Sequence, residues 1–278
     1  MNKIKIHLHR LVENALEEDI GYGDITTDGT IIGDKICKGR LLAKEEGKLA
    51  GKFAFIEVFK VLNDEIKCDF YKEDGESFDK NTIIAEITGR VSDILKGERT
   101  ALNFIQHLSG IATLTAKYVK ISEKYGVKII DTRKTLPGMR MLQKYAVKSG
   151  GGLNHRIGLY DAALIKDNHI KAAGSITAAV TSIRKKIGPT VKIETETFSL
   201  KDVEEAILQK VDIIMLDNFK LEDIREAIKL IGGKAAVEVS GGVNLENLEE
   251  FCRLKPDYIS VGRLTNSAPA LDFSLKLE

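Results

Sequence analysis

From Val127 onward, short apolar runs alternate with amphipathic stretches in a steady rhythm. The runs VKIIDT (127–132), AALIKD (162–167), VKIETE (191–196), DIIML (212–216), AVEVS (236–240) and YISVG (258–262) are brief and rich in β-branched residues, which predicts strands. Between them, near 138–148, 174–187, 199–210, 221–231 and 245–253, apolar residues recur at helical spacing. Strand and helix in strict alternation imply a parallel sheet with right-handed crossovers. The first part of the chain, to about residue 105, lacks this rhythm. Leu8, Leu11, Val12, Ala15 and Leu16 form one helical stripe over 7–18, and IGYGDITTDGT, with Gly21, Gly23, Asp24 and Asp28, reads as turn. Strands around 36–44, 66–71 and 82–88 and a helix near 51–62 complete an α+β region. A helical pattern then runs from about 93 to 125, with a bend or break predicted at Ser109 and Gly110. The tail APALDFSLKLE is apolar on alternate positions from Leu271, as a strand returning to the N-terminal sheet would be.

Polar residues decide between an open sheet and a closed barrel. Each predicted strand ends in groups suited to chemistry: Arg133 and Lys134, Lys166, Glu196, Asp217, Ser240 to Gly242, and Gly262. A barrel brings all strand ends to one mouth, whereas an open sheet spreads them along a line. The set therefore favours an α/β barrel, and with only six or seven strands it is incomplete. Parity adds that Lys192, Glu194 and Glu196 share one strand face, and Glu238 and Ser240 repeat the pattern. Charges aimed into a barrel need partners. An internal salt-bridge network is the expectation for Lys192, Glu194 and Glu238, and a functional role for Glu196.

Composition narrows the function classes. The 278 residues carry a formal net charge of +1, without the basic excess usual for binding nucleic acid or a membrane surface, so any basic site is local. No apolar run reaches membrane-spanning length, and the N-terminus has no signal-peptide core. Cys37, Cys68 and Cys252 form no CxxC pair, which suggests reduced thiols and a cytoplasmic location. His7 and His9 lack further ligands nearby and read as a solvated helix end.

The densest chemistry lies in 131–170. Arg140, Lys144 and Lys148 recur at helical spacing and read as a solvated face. Arg133 and Lys134 follow a strand and precede Pro137 and Gly138, which open the next helix, while His155 and Arg156 follow three glycines where backbone approaches a ligand closely. Arginine offers a planar fork for carboxylate or phosphate, and lysine a point charge. Several such cations in one mouth call for an anion between them. Glu196 and Asp217 oppose them, as groups for Mg²⁺, sugar hydroxyls or a developing positive charge. SGGV (240–243) and VGRL (261–264) follow the last two strands, where barrels commonly bind phosphate through backbone N–H groups.

With these residues in view, the chain resembles the quinolinate phosphoribosyltransferases over nearly its whole length. EDIGYGDITTD, EEGKLAG, GERTALNFIQHLSGIAT, DTRKTLPG, GGGLNHR, LIKDNHI, LDNF, SGG and the tail appear in order. The resemblance implies an N-terminal α/β sandwich, 1–105 with the tail 268–278, and an incomplete α/β barrel over 106–267. It implies that Arg133, His155, Arg156 and Lys166, with Thr132, hold quinolinate, completed by Arg99 from a neighbouring subunit of a homodimer or higher homo-oligomer. It further implies that Lys134, Glu196, Asp217, Ser240, Gly241, Gly242, Gly262 and Arg263 bind phosphoribosyl pyrophosphate with its Mg²⁺, through Glu196 and Asp217. Asn266 departs from the pattern, standing where some relatives carry a basic residue.

The implied reaction is phosphoribosyl transfer to the pyridine nitrogen with loss of CO₂, giving nicotinate mononucleotide and pyrophosphate for NAD biosynthesis. Lys134, Lys166, Glu196 and Asp217 are the expected catalytic groups, and no redox cofactor or covalent intermediate is needed. Three alternatives stay open on the residues: a same-fold relative with another aromatic acid, a Lys166 Schiff-base aldolase, and a non-catalytic metabolite binder.

Overall fold

The two rhythms of the sequence become two sheets. The computed structural model describes residues 2–33 and 35–278. In chain order come α1 (Asn2–Ile20), α2 (Ile25–Thr30), β1 (Ile36–Ala43), β2 (Gly47–Lys48), α3 (Lys52–Leu62), β3 (Lys67–Phe70), β4 (Ser77–Phe78), β5 (Ile83–Arg90) and the long α4 (Val91–Ser122). Then follow β6 (Lys128–Ile130), α5 (Arg140–Ser149), β7 (Ala163–Ile165), α6 (Asp167–Ala173), α7 (Ile176–Arg184), β8 (Ile193–Thr197), α8 (Leu200–Leu208) and β9 (Ile213–Asp217). The chain ends with α9 (Leu221–Ile231), β10 (Ala236–Ser240), α10 (Leu248–Arg253), β11 (Tyr258–Ser260), α11 (Arg263–Asn266) and β12 (Phe273–Leu277).

These elements group into two compact units. The first, residues 1–116, 136–151 and 267–278, carries the antiparallel sheet β12-β1-β5-β3, so the C-terminal tail does return to the N-terminal sheet. It takes in residues 106–116 and α5, which the division near residue 105 assigns to the barrel. The attachment of α5 is visible in its contacts: Tyr145 Oη donates to Asp74 Oδ2 at 2.7 Å, and Gln143 Nε2 lies 2.8 Å from His107 Nε2.

Three expectations for this unit need correction. Helix α4 runs unbroken through Ser109 and Gly110. Ser109 Oγ bonds both the N–H and the carbonyl of Ala50 at 3.1 Å, and a Cβ on Gly110 would come within 2.0 Å of the Pro269 carbonyl oxygen. These residues serve close packing: the buried serine bonds Ala50, off the helix, and the glycine admits the Pro269 backbone. The turn-rich stretch contains α2, because Asp24 caps it by accepting from the backbone N–H groups of Thr26 and Thr27. Finally, Lys144 is buried, Arg140 half-buried and only Lys148 exposed, so that set is no solvated face. His7 and His9 are exposed on α1, where His9 meets Glu57 at 2.8 Å.

The second unit, residues 117–135 and 152–266, holds a six-stranded parallel sheet in the order β6-β11-β10-β9-β8-β7. Among the described residues β6 and β7 are its two edges. Only Leu153 adds to the outer edge of β6, donating to the Ile129 carbonyl at 2.8 Å and accepting from Asp131 N at 3.1 Å. This is an incomplete α/β barrel. All five residues of β8 are buried, as a parallel strand covered on both faces requires. Ile129, Ile165, Ile214, Val237 and Ile259 of the strands and Val180, Val203, Ile224 and Ala227 of the helices form its core. Helix α6, absent from the periodicity reading, starts directly at the end of β7.

Candidate active site

The C-terminal ends of the six strands surround a cavity of about 390 Å³. Thr132, Arg133 and Lys134 follow β6, Lys166 follows β7, and Glu196, Asp217, Ser240 and Ser260 lie in the last turns of β8 to β11. His155 and Arg156 enter from the segment after Leu153. A second cavity of about 250 Å³ shares Thr132, Lys134, Ser240 and Ser260 with the first. It extends over Gly241, Gly242, Gly262, Arg263 and Asn266. Every barrel residue expected to bind a substrate thus lines one of two cavities that share residues. Arg99 is exposed on α4 in the first unit.

The first cavity is built from charges. Arg156 is 9% exposed; one terminal guanidinium nitrogen donates to the Ala162 carbonyl at 3.0 Å, while Nε has no partner among the described residues. Burial, then the like charge of Arg133, push its pKa below the ordinary guanidinium value. Glu194, Glu196 and Asp161 offset part of that cost, and an anion bound between the arginines would offset more. Lys166 forms a short ion pair with Glu196 Oε1, and the Asp167 N–H donates to Glu196 Oε2 at 3.3 Å. The loop is fixed further by His169, whose Nδ1 accepts from the Lys166 N–H at 2.9 Å.

Below the arginines lies a carboxylate pair that sequence parity only half anticipated. Lys192 is exposed and precedes β8, so it does not neutralise Glu194 and Glu238. Their partner is His155, with Nε2 3.1 Å from Glu194 Oε2 and 3.6 Å from Glu238 Oε2. His155 Nδ1 accepts the Arg156 N–H at 2.7 Å, so the ring hydrogen sits on Nε2, facing the carboxylates. Burial and then the Glu194 charge hold the Glu238 carboxyl well above the usual carboxylate range. Asp131, another residue not singled out, anchors the segment from beneath. It accepts from His155 N at 2.9 Å and from Asn154 Nδ2 at 2.6 Å.

The second cavity is built from backbone. Gly241 and Gly242 have φ of +100° and +64°, conformations that turn consecutive N–H groups toward one side. A Cβ on Gly241 would come within 2.2 Å of Asn218 Oδ1. Asn218, itself at φ +58°, donates its N–H to the Ser240 carbonyl at 2.9 Å and its side-chain amide to Asp217 at 3.0 Å. Asn218 thus sets both the carboxylate and the glycine turn; it went unnoticed because its role lies in a left-handed backbone. Thr265 Oγ1 donates to the Lys134 carbonyl at 2.7 Å, and Gly262 leaves room for the Lys134 side chain.

Two sets of side chains offer donors that a divalent cation takes. Asp217, with Glu196 behind it, supplies carboxylate oxygen at the rim. His155, Glu194 and Glu238 place their ligand atoms within 4.8 Å of one another, but there the donors are engaged by one another and by the Glu238 proton.

An α/β barrel that gathers two arginines, two lysines and a glycine turn at one mouth is the site of an enzyme acting on polyanionic substrates. Residues 24–109 and 111–276 match the models of the N-terminal and C-terminal domains of quinolinate phosphoribosyl transferase. The probable nicotinate-nucleotide pyrophosphorylase (carboxylating) of Bacillus subtilis is 43% identical over 97% of this chain and 93% of its own. Nicotinate-nucleotide pyrophosphorylase from Francisella tularensis superposes with a TM-score of 0.94 at 43% identity, covering 98% of this chain and 96% of its own. NadC from Streptococcus pyogenes gives 0.93, also at 43% identity, over 97% and 95%. The chain belongs to the quinolinate phosphoribosyltransferase family, whose members are transferases.

Proposed function

We propose that this protein transfers phosphoribosyl from phosphoribosyl pyrophosphate to the nitrogen of quinolinate, with decarboxylation, in NAD biosynthesis. The observation that carries the reading is the buried Arg156 beside Arg133, a like-charge pair that a rigid dicarboxylate would satisfy. In this reading Arg133, Arg156, Thr132 and Lys166 hold the two carboxylates, and His155 offers the ring edge, since both its nitrogens face protein groups. Arg99 belongs to the same proposal as a residue reaching the site of a neighbouring subunit in a homodimer.

Phosphoribosyl pyrophosphate would lie over the second cavity, with its phosphates on the N–H groups of Gly241, Gly242 and Gly262 and on Ser240, Lys134 and Arg263. Asn266 there adds a neutral hydrogen-bonding amide. Mg²⁺ fits the rim: Asp217 supplies hard oxygen, and Glu196, with both oxygens engaged, would act through water. When bound, the ion would neutralise charge developing on the departing pyrophosphate. Glu196 and Asp217 orient the ribose and oppose the positive charge at C1, and Lys134 faces the leaving group. Lys166, ion-paired with Glu196 and 44% exposed at its side chain, lacks the dry pocket that a Schiff-base lysine needs.

Incubating the pure protein with quinolinate, phosphoribosyl pyrophosphate and Mg²⁺ tests the reading. Equimolar nicotinate mononucleotide, pyrophosphate and CO₂ are expected; binding of both substrates without turnover would refute it.

A further inference from the structure

Decarboxylation leaves a question that transfer alone does not answer: where the ring's new proton comes from. Once the pyridine nitrogen carries the ribosyl group it is positive. The bond from C2 to its carboxylate can then break with the electron pair remaining on C2, and CO₂ departs. A C2–H bond must form, or the carbanion recaptures CO₂.

The cavity lining offers few donors. Arg133 and Arg156 hold their protons too tightly for transfer near neutral pH. Lys166 pairs with Glu196 and the substrate carboxylates, Lys134 also lines the glycine cavity that would take the phosphates, and the His155 Nε2–H faces Glu194 and Glu238. Glu238 lines the same cavity, lies on the floor of the barrel at 1% exposure, and has an oxygen, Oε1, with no hydrogen-bond partner among the described residues. Its surroundings are set by every strand around it. Glu194 faces it from β8, His155 from the segment after Leu153, Lys166 from the end of β7, and Ser260 from β11; Met215 and Tyr258 are its register neighbours on β9 and β11.

We infer that Glu238 delivers the proton that C2 takes up as CO₂ leaves. The Oε–H bond breaks, the C2–H bond forms with the pair left by CO₂, and Glu238 remains as a carboxylate beside His155 Nε2–H. Water entering the cavity that Glu238 lines replaces the proton afterwards. Burial and the Glu194 charge hold the Glu238 carboxyl well above the usual carboxylate range, which favours the protonated state a donor requires. The inference rests on the function proposed above but can fail without it.

Glu238→Gln keeps the shape and neutrality of the protonated side chain and removes the transferable proton. In a single turnover with quinolinate, phosphoribosyl pyrophosphate and Mg²⁺, wild type should release pyrophosphate and form nicotinate mononucleotide in step. The variant should release pyrophosphate at close to the wild-type rate while nicotinate mononucleotide forms about 10²-fold more slowly, the usual scale of a lost proton donor. Nicotinate mononucleotide forming at the wild-type rate, or both steps falling together, would overturn the inference. A measurement on wild type guards against a folding defect: D₂O should slow formation of nicotinate mononucleotide and not pyrophosphate release, and equal effects on both would also overturn it. If wild type releases no pyrophosphate at all, it is the proposed function that fails.

Discussion

The two joined cavities of the barrel recognise anions by opposite means. One uses side-chain charge, with Arg133, Arg156 and Lys166 held at the ends of β6 and β7 and beside them, partly or largely out of water. The other uses backbone, with Gly241 and Gly242 in left-handed conformations that any side chain would strain. A planar dicarboxylate is fixed in orientation by rigid guanidinium forks, whereas phosphate groups, symmetric and fully charged, are well served by converging N–H groups. The difference predicts how each cavity fails: the first through lost charge with the fold intact, the second through a distorted backbone.

The largest effect should come from Arg156→Ala. Removing one partner of a buried charged contact costs about 2–5 kcal/mol, so quinolinate affinity should fall by roughly 30-fold to several thousand-fold while affinity for phosphoribosyl pyrophosphate holds. Calorimetric titration of each substrate checks this, and an equal loss of both would break the division between cavities. Gly241→Ala should do the reverse. It weakens phosphoribosyl pyrophosphate binding and destabilises the fold by at least ~1–2 kcal/mol through its positive φ and the approach to Asn218. Thermal melts with and without that substrate would show it.

Glu238→Gln should change stability in a pH-dependent way. In the wild type the carboxyl holds its proton more tightly when folded than when unfolded, so stability present at low pH is lost as pH rises above the ordinary carboxylate value toward the raised folded one. The variant should therefore melt like wild type near pH 4 and increasingly above it from there upward. A constant difference across pH would contradict the protonated assignment. The smallest effect is expected from Thr265→Val, which removes the hydrogen bond to the carbonyl of Lys134, a residue shared by both cavities, at a cost of about 1 kcal/mol.

Much of this division was legible before the fold. Arg133, Lys166, Glu196, Asp217 and Ser240 declared themselves because each follows or closes an apolar run, and strand ends in a barrel converge whatever lies between. The misread parts depended on contacts distant in sequence. Nothing local shows that Ser109 bonds Ala50, that Lys144 turns inward, or that His155 sits between carboxylates of β8 and β10 in place of Lys192. Periodicity reports which face of an element is buried; it does not report what that face meets. Asn218 shows the same limit for backbone conformation, since a positive φ leaves no mark on hydrophobic spacing.

The central claim, that the charged cavity is shaped for a dianion, is tested most directly by comparing quinolinate with nicotinate, which lacks one carboxylate. Titrated calorimetrically into the wild-type protein, quinolinate should bind roughly 10²-fold more tightly or better, because the second carboxylate answers a buried guanidinium. Equal affinity for the two acids would mean that Arg133 and Arg156 do not act as a pair, and the reading of the site would fall.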